Sequence, residues 1–164
     1  MIRPTDPADT PALLALAQGT GVFKPHEIQA LDEVLADYHA TDREGSGHRS
    51  VTWEEGGQIF GFAYYAPAAM TDRTWYLWWI AVRKQRQAGG IGKELMKFVE
   101  EDIRKAGGRV VFIETSGLPH YDPTRRFYLK LGYEQGAVLR DYYADGDDMV
   151  VFRKRLSPLG SSPV

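Results

Sequence analysis

The sequence has 164 residues, a net charge of −2 and an apolar fraction of 43%. This length and composition predict one globular domain with its own hydrophobic core, which we assign to residues 1–156. The near-neutral charge excludes a broad basic surface, so we expect no nucleic acid partner. The absence of cysteine excludes disulfides, thiolate metal sites and cysteine nucleophiles, and the four histidines show no metal-ligand spacing, so we expect no metal.

The location of the protein is predicted from its hydropathy and its N-terminus. No apolar run is long enough to span a membrane, and residues 1–6 contain no apolar signal region. We therefore expect a cytoplasmic protein with no membrane partner. Residues 157–164, rich in Ser, Pro and Gly, predict a flexible C-terminal tail.

The first half of the chain predicts strands and helices with clear boundaries. Proline at the starts and glycine at the ends delimit the helices, and Thr10 is interpreted as the first N-cap. Glu55-Gly56-Gly57 predicts a tight hairpin turn. The predicted elements are an edge strand over 1–4, helices over 10–19 and 25–38, a loop over 42–47, and hairpin strands over 49–54 and 58–65.

The second half predicts a strand, a long helix and a second strand in succession, which must form a right-handed parallel crossover. The Trp-rich first strand is expected to be buried on both faces. The main helix is expected to face inward through Ile91, Leu95, Phe98, Val99 and Ile103. The predicted elements are strands over 74–82 and 109–115, helices over 90–106 and 122–131, and hairpin strands over 134–142 and 148–155.

A glycine-rich loop, Gln87 to Lys93, joins the strand over 74–82 to the main helix. A strand, a glycine loop and a helix start bring several backbone N–H groups and the positive end of a helix dipole to one point, which is typical of a phosphate site. A Walker loop would need Ser or Thr where Glu94 stands. A dinucleotide fingerprint would need a third glycine where Leu95 stands. A glycine-rich turn that binds nothing is the alternative interpretation.

A second motif is the short helix over 122–131. Asp122 is interpreted as its N-cap, Pro123 fits the first helical position, and Gly132 fits the stop. The motif reads Phe127-Tyr128-x-Lys130-x-Gly132-Tyr133.

Together the two motifs resemble those of the GNAT-type N-acetyltransferases. The pattern Gln87-x-x-Gly90-x-Gly92 is similar to the acyl-CoA loop Gln/Arg-x-x-Gly-x-Gly/Ala, and the second motif is similar to Phe-Tyr-x-x-x-Gly-Phe. The resemblance covers about residues 75–133 closely and the rest only in its order of elements. It implies an α/β (α+β) fold with a mixed, mostly antiparallel sheet of about seven strands and helices on both faces. The strands flanking the main helix are expected to splay apart.

The resemblance also implies an activity. The protein is expected to be an acyl-CoA-dependent N-acyltransferase that moves acetyl from acetyl-CoA to a primary amine by direct attack through a tetrahedral intermediate. Its expected partners are acetyl-CoA and an amine acceptor, and its expected state is a monomer or homodimer. The alternative is a non-catalytic acyl-CoA-binding sensor on the same fold. A nucleotide-binding protein is disfavoured by Gln87 and Glu94.

The residues that would hold acetyl-CoA follow from the same resemblance. Loop amides would grip the pyrophosphate, and the main chain before the loop would pair with the pantetheine arm. Tyr121 stands where many relatives have a pantetheine-binding Asn, so its hydroxyl substitutes or the contact is absent. The predicted residues are Ile80, Ala81, Val82, Gln87, Ala88, Gly89, Gly90, Ile91, Gly92, Lys93, Tyr121 and Tyr128.

Two residues are predicted to be catalytic. Tyr128 matches the family tyrosine beside the thioester sulfur and is assigned as the acid, with a half-buried core tyrosine as the alternative. The strand carboxylate of many relatives is replaced by Trp78 and Trp79. Glu114, after an apolar run that would raise its pKa, is therefore assigned as the base. A structural carboxylate is the alternative, with His120 and Asp122 as reserve bases.

The segment over 141–148 contains four acids and two tyrosines. Tyr142 and Tyr143 are predicted to bind the acceptor, and an acidic rim there would attract a cationic amine. A solvated turn is the alternative. The tryptophans at 75, 78 and 79 are interpreted as core. Residues 83–86 are assigned either to the outer phosphates of CoA or to a solvated turn.

Overall fold

The structure is a computed structural model that describes residues 1–41 and 46–157. The predicted loop over 42–47 and the predicted tail fall largely outside these residues.

Three short 3-10 helices, Pro7–Asp9, Lys84–Gly89 and Pro119–Tyr121, precede the first, third and fourth α-helices of the described residues. The elements are β1 Ile2–Pro4, α1 Thr10–Gly19, α2 Pro25–Ala40, β2 Arg49–Glu55, β3 Gln58–Pro67, β4 Thr74–Val82, α3 Ile91–Lys105, β5 Val110–Ser116, α4 Asp122–Lys130, β6 Glu134–Ala144 and β7 Asp147–Arg155.

The strands form one seven-stranded sheet in the order β1-β2-β3-β4-β5-β7-β6. The pairs β1–β2, β2–β3, β5–β7 and β6–β7 are antiparallel. The pair β4–β5 is parallel, with Thr74 opposite Val110 and Leu77 opposite Ile113. The structure thus confirms the predicted mixed, mostly antiparallel sheet and the parallel crossover through α3. The splaying of β4 and β5 stays a prediction.

The chain divides into two compact units, and the single domain over 1–156 stays a prediction. The first unit is Met1–Ala66 with Trp78–Val99, and the second is Pro67–Leu77 with Glu100–Val164. In the first unit the leucines of α1 and α2 recur at helical spacing, so they lie on one face of each helix and pack against strand residues. The resulting buried cluster is Leu13, Leu16, Ala17, Leu31, Leu35, Ile59, Phe62 and Ala81.

The second unit has a polar group at the centre of its packing. Glu100 of α3 is 6% exposed and accepts hydrogen bonds from the Tyr133 hydroxyl at 3.0 Å and the Lys154 ammonium at 2.8 Å. Both carboxylate oxygens are therefore satisfied, as a buried charge requires. Gly108 ends the turn after α3, and a Cβ there would lie 2.2 Å from Ile103 and 2.8 Å from Trp75, so the packing leaves room only for glycine.

Three predictions of local structure are wrong. Thr10 and Asp122 are first helical residues rather than N-caps, because their backbones are already helical, at φ −48°, ψ −50° and φ −52°, ψ −45°. Phe98 is 39% exposed, whereas Met96 is fully buried. Each step of four residues along an α-helix rotates the side-chain direction by about 40°. The buried stripe therefore turns gradually around α3 and leaves Phe98 at its edge.

The expected burial of β4 on both faces holds only for its first half. Trp75 and Leu77 are 5% and 2% exposed, but Trp78 is 48% exposed and Trp79 is half-buried. The interpretation of Trp78 as core is therefore wrong, and the second half of β4 presents aromatic surface. Within the described residues, no helix combines the length and apolarity needed to cross a membrane.

Candidate active site

The turn from β4 into α3 depends on one glycine. After β4 ends at Val82, the predicted polar turn forms the 3-10 helix Lys84–Gly89. Gly90 follows at φ +83° and ψ 2°, in the left-handed region, and there a residue with a Cβ is strained. A Cβ at Gly90 would meet nothing within 4 Å, so the requirement for glycine is conformational rather than steric.

The start of α3 presents free backbone donors. The first bond into the helix runs from the Glu94 N–H to the Gly90 carbonyl at 3.1 Å. The amides of Ile91, Gly92 and Lys93 precede this bond, so they lack intrahelical acceptors. Residues 84–93 contain three basic side chains and no acidic one. This combination can hold an anion through N–H groups, the helix dipole and local positive charge.

Close packing fixes where this helix start lies. Ile91 is 2% exposed and Leu95 is fully buried, so the first turn of α3 is anchored by apolar contacts. A Cβ on Gly61 of β3 would lie 3.0 Å from the Leu95 side chain and 3.2 Å from both Ile91 and the Ala81 carbonyl. Glycine at position 61 therefore lets β3 approach the start of α3 and the end of β4.

Gln87, predicted to bind the cofactor, ties the loop to β4. Its Nε2 donates to the Val82 carbonyl at 3.2 Å. The side chain thus shapes the loop, and the Gln87 backbone lies in the 3-10 helix. The Val82 carbonyl has a second lone pair, so it can still accept a hydrogen bond from a bound ligand.

The two arginines of the turn over 83–86 pack on β3. Arg83 donates to the Ile59 carbonyl at 2.9 Å, and Arg86 pairs with Glu55 at 3.1 Å. Both guanidinium groups lie over the Phe60 ring, with the Arg83 and Arg86 Cζ atoms 5.1 Å and 4.5 Å from its centroid. These contacts brace the loop, so the turn is more than a solvated basic segment.

Tyr128, the predicted acid, is on α4 and is 4% exposed. Its ring packs against Phe152 and Tyr133, with centroids 5.6 Å and 6.0 Å apart. Among the described residues its hydroxyl has no hydrogen-bond partner. Burial raises the pKa of this phenol, so Tyr128 keeps its proton at neutral pH and its hydroxyl can donate a hydrogen bond.

Glu114, the predicted base, is on β5 opposite Val151. Its side chain is half-buried, and burial raises the pKa of its carboxyl. Nearby Tyr76 also has a raised pKa, caused by burial and then by the Glu114 charge. No hydrogen bond or ion pair reaches the Glu114 carboxylate within the described part of the chain. A desolvated, unpaired carboxylate of this kind is a stronger base than a solvated one.

The other predicted site residues differ in their surroundings. His120 is exposed, and the Asp122 carboxylate pairs with the Arg125 guanidinium. Tyr121 is 7% exposed, and its ring lies 4.5 Å from that of His120. Tyr142 and Tyr143 on β6 are 59% and 44% exposed and meet edge to face at 5.2 Å, so their rings are open to solvent.

The acids of the β6–β7 hairpin hold the turn together. The Asp141 carboxylate accepts from the Gly146 N–H at 2.8 Å, and the Asp148 carboxylate accepts from the Asp141 N–H at 2.9 Å. Asp147 is 4% exposed and accepts from Ser116. Two of these carboxylates hold the hairpin turn, and that of Asp147 bonds to β5, which favours the plainer interpretation of this segment.

A pocket of about 470 Å³ lies in the first compact unit. The sequence does not predict this pocket, because the interpretation of Trp78 and Trp79 as core residues leaves no recess beside them. The only available signal was their position, where many relatives have a strand carboxylate. This pocket, here called the aromatic pocket, is lined by Val34, Asp37, Tyr38, Thr41, Ser46, His48, Tyr64, Trp78 and Trp79.

The comparisons with known proteins assign the family. Residues 13–133 match the sequence profile of the acetyltransferase (GNAT) family. A crystal structure of a putative GNAT acetyltransferase from Desulfovibrio desulfuricans is 34% identical, with a TM-score of 0.91, over 96% of this chain and 99% of that one. The chain therefore belongs to the GNAT acetyltransferase family. This result confirms the predicted family, fold and enzyme class.

Two further similarities are more limited. An uncharacterized N-acetyltransferase from Methanocaldococcus jannaschii is 32% identical over 79 residues, which are 46% of this chain and 48% of that protein. The match thus spans about half the length of this curated relative. The yncA protein of Salmonella typhimurium, a putative acetyltransferase solved with its cofactor acetyl-CoA, shares the fold at 20% identity and a TM-score of 0.79, over 99% of this chain and 97% of that one.

Replacing Gly92 with valine should weaken acetyl-CoA binding by more than about tenfold, because a branched side chain would keep a phosphate away from the backbone. The fold should survive, since valine has a higher helix propensity than glycine. Calorimetry measures the Kd, and thermal unfolding verifies the fold. Gly92→Ala is the graded control and should lose less affinity. Unchanged affinity in a folded Gly92→Val protein would contradict the assignment of the loop.

Proposed function

We propose that the protein transfers an acetyl group from acetyl-CoA to a primary amine by direct attack. The observation that carries the proposal is the start of α3, where three free amides follow the left-handed Gly90. Pyrophosphate is the anion that such a site fits. We further propose that residues 1–156 act as one catalytic domain.

The donor is held, in this proposal, by the loop and by the strand before it. The amides of residues 87–93 bind the pyrophosphate. Main-chain groups of Ile80, Ala81 and Val82 pair with the pantetheine arm, and Tyr121 adds a contact to it. The yncA neighbour, which has the same fold, was solved with acetyl-CoA. The basic, acid-free composition of residues 84–93 supports the same assignment.

The chemistry needs one base, one oxyanion donor and one acid. The amine nitrogen forms a bond to the thioester carbonyl carbon, and Glu114 takes the proton that the nitrogen loses. A backbone N–H near Val82 stabilises the tetrahedral oxyanion. The C–S bond then breaks and CoA leaves as the thiolate, which the Tyr128 hydroxyl protonates or stabilises by a hydrogen bond. Glu114 returns its proton to solvent or to the Tyr128 oxygen, so the proton lost by the amine is accounted for. No covalent enzyme intermediate is needed, in keeping with the absence of cysteine.

The environments of the two catalytic candidates suit these opposite roles. Burial raises the pKa of both the Glu114 carboxyl and the Tyr128 phenol. For Glu114 the raised pKa makes the carboxylate a stronger base, and for Tyr128 it keeps the hydroxyl protonated and available as a hydrogen-bond donor. The unpartnered Tyr128 hydroxyl is a donor still available to a developing thiolate.

The acceptor entrance, the location and the oligomeric state of the enzyme remain to be assigned. We assign Tyr142 and Tyr143 to the acceptor entrance, because exposed tyrosines provide both apolar area and a hydrogen-bonding tip. The cytoplasmic location stays a prediction from the sequence. The monomeric or homodimeric state also stays a prediction, which sedimentation equilibrium can measure.

Glu114→Gln should lower kcat/KM at pH 7, and the loss should shrink as the pH rises, because more of the acceptor is then already the free amine. In the wild type, burial raises the pKa of Glu114. Its base form is therefore lost as the pH falls through this raised pKa, and kcat/KM should fall with it. The measurement is kcat/KM from pH 6 to 9 for both proteins. A loss that does not vary with pH would instead indicate a structural carboxylate.

Tyr128→Phe should keep acetyl-CoA affinity nearly unchanged, because the phosphates and pantetheine are held elsewhere and the ring still packs. Turnover should fall by about ten- to a thousandfold, the effect of losing one acid or one well-placed donor. A thiolate is a fairly good leaving group, so we expect the lower part of this range. Turnover is measured as the release of free CoA thiol with a primary amine present.

The same assay tests the proposed function in the wild type. Acetyl-CoA binding without thiol release for any amine would favour the non-catalytic sensor. Full turnover of Tyr128→Phe, with chemistry rate-limiting, would make Tyr128 a packing residue.

A further inference from the structure

The aromatic pocket has the size and the lining of a small-molecule site. Its volume of about 470 Å³ falls within the range of roughly 300–1,000 Å³ that is usual for such sites. Two of its aromatic side chains, Trp78 and Trp79, are on β4 immediately before Ile80. A ligand in the pocket therefore lies beside the main chain to which we assign the pantetheine arm.

The inner wall of the pocket is a packed aromatic group. Tyr38 and Tyr64 are 6% and 3% exposed, and their rings meet edge to face at 5.8 Å. The His48 ring lies 5.7 Å from that of Tyr64, and its Nδ1 shares a hydrogen bond with the Tyr64 hydroxyl. These contacts fix the wall before a ligand arrives, so little side-chain freedom is lost on binding. Trp78, 48% exposed, offers a ring that is still open to solvent.

The charge of the lining selects for a single positive charge. Of the described residues that line the pocket, Asp37 is the one acid, and none is Lys or Arg. Asp37 is exposed to solvent. The Asp37 carboxylate makes no ion pair within the described residues. Its charge also acts on Tyr64, whose pKa is raised to about 12, mainly by burial. Tyr64 therefore stays neutral, and the aromatic faces add their attraction for a cation.

We propose that the aromatic pocket is the acceptor site and that the acceptor is a primary monoamine with an apolar or aromatic body. This inference rests on the proposed acetyl transfer. The ammonium group lies near Asp37 and the ring faces, and the body of the molecule packs on Tyr38, Tyr64 and Trp78. Once deprotonated, the nitrogen can attack a thioester held along residues 80–82.

The same observations disfavour a polycationic acceptor. A polyamine would bring several ammonium groups to a pocket whose described lining has one carboxylate, and each unpaired charge would be desolvated among apolar rings at a cost. Of the four acids in the β6–β7 hairpin, Asp141 and Asp148 accept hydrogen bonds from backbone N–H groups of the hairpin, and Asp147 accepts one from Ser116 of β5. A second site for further ammonium groups therefore finds no support in that hairpin.

The experiment compares three probes: 2-phenylethylamine, spermidine and the uncharged 2-phenylethanol. With acetyl-CoA, kcat/KM for 2-phenylethylamine should exceed that for spermidine by at least about tenfold. Calorimetry in the presence of CoA gives the Kd of each probe without any reaction. Of the two aromatic probes, the amine should bind more tightly than the alcohol, because only the amine carries the charge that the pocket recognises.

Two variants with matched controls test the lining. Trp78→Ala should raise the Kd for 2-phenylethylamine by about three- to thirtyfold through lost cation–π and apolar contact. Phe98→Ala, which removes an aromatic side chain of similar exposure outside the pocket, should leave it unchanged. Asp37→Asn should weaken the binding of 2-phenylethylamine but leave the Kd of 2-phenylethanol unchanged. Asp32→Asn, an exposed acid on the same helix but outside the pocket, should affect neither.

The outcomes separate this inference from the proposed function. Faster acetylation of spermidine than of 2-phenylethylamine, or a Kd insensitive to both Trp78→Ala and Asp37→Asn, would overturn the inference and leave acetyl transfer standing. If instead no amine releases CoA thiol, yet 2-phenylethylamine binds and both variants weaken it, then the ligand class of the pocket holds and the proposed transfer fails.

Discussion

The turn at Gly90 is the constraint on which the candidate site depends. A left-handed residue there lets the chain pass from a 3-10 turn into α3 without a break. As a result, the helix begins with three amides that have no internal acceptor. The buried first turn of α3 and the close approach of Gly61 hold those amides next to the end of β4. Backbone geometry, rather than a particular side chain, thus forms the proposed anion site.

The magnitudes explain why such a site is sensitive to small changes. A hydrogen bond to a charged group contributes about 1.5–3 kcal/mol, and a helix terminus adds about 0.3–2 kcal/mol for an ion near it. A tenfold change in affinity corresponds to about 1.4 kcal/mol. Displacing the anion from one or two amides is therefore enough for a large loss. The ion pair between Arg86 and Glu55, by contrast, is exposed to solvent and contributes little.

The elements whose ends are marked by glycine or proline could be predicted from the sequence. The limits of β4 were predicted to the residue, and those of α3 to within one, because glycines and an amphipathic stripe mark them. The N-caps at Thr10 and Asp122 were wrong because preceding 3-10 turns had already made those residues helical. Phe98 was placed inside because five apolar residues fitted one stripe, whereas the drift of that stripe depends on what the helix packs against.

The aromatic pocket could not be predicted in the same way. It is built from α2, the segment 46–48, β3 and β4, so no local spacing encodes it. Trp78 and Trp79 looked like core residues because large aromatic side chains are usually buried. The sequence did show that they replace a carboxylate, but only the tertiary arrangement shows that a recess lies beside them. The catalytic roles of Glu114 and Tyr128 stay predictions, which the apolar run before Glu114 and the family motif around Tyr128 suggest.

The most direct test of the central claim is nuclear magnetic resonance of the backbone amides. Protein labelled with ¹⁵N is titrated with CoA and, separately, with pantetheine, which lacks the pyrophosphate. If the start of α3 holds that group, the amide signals of Ile91, Gly92 and Lys93 will shift with CoA and stay in place with pantetheine. Unmoved signals with saturating CoA, or equal shifts with both ligands, would contradict the account.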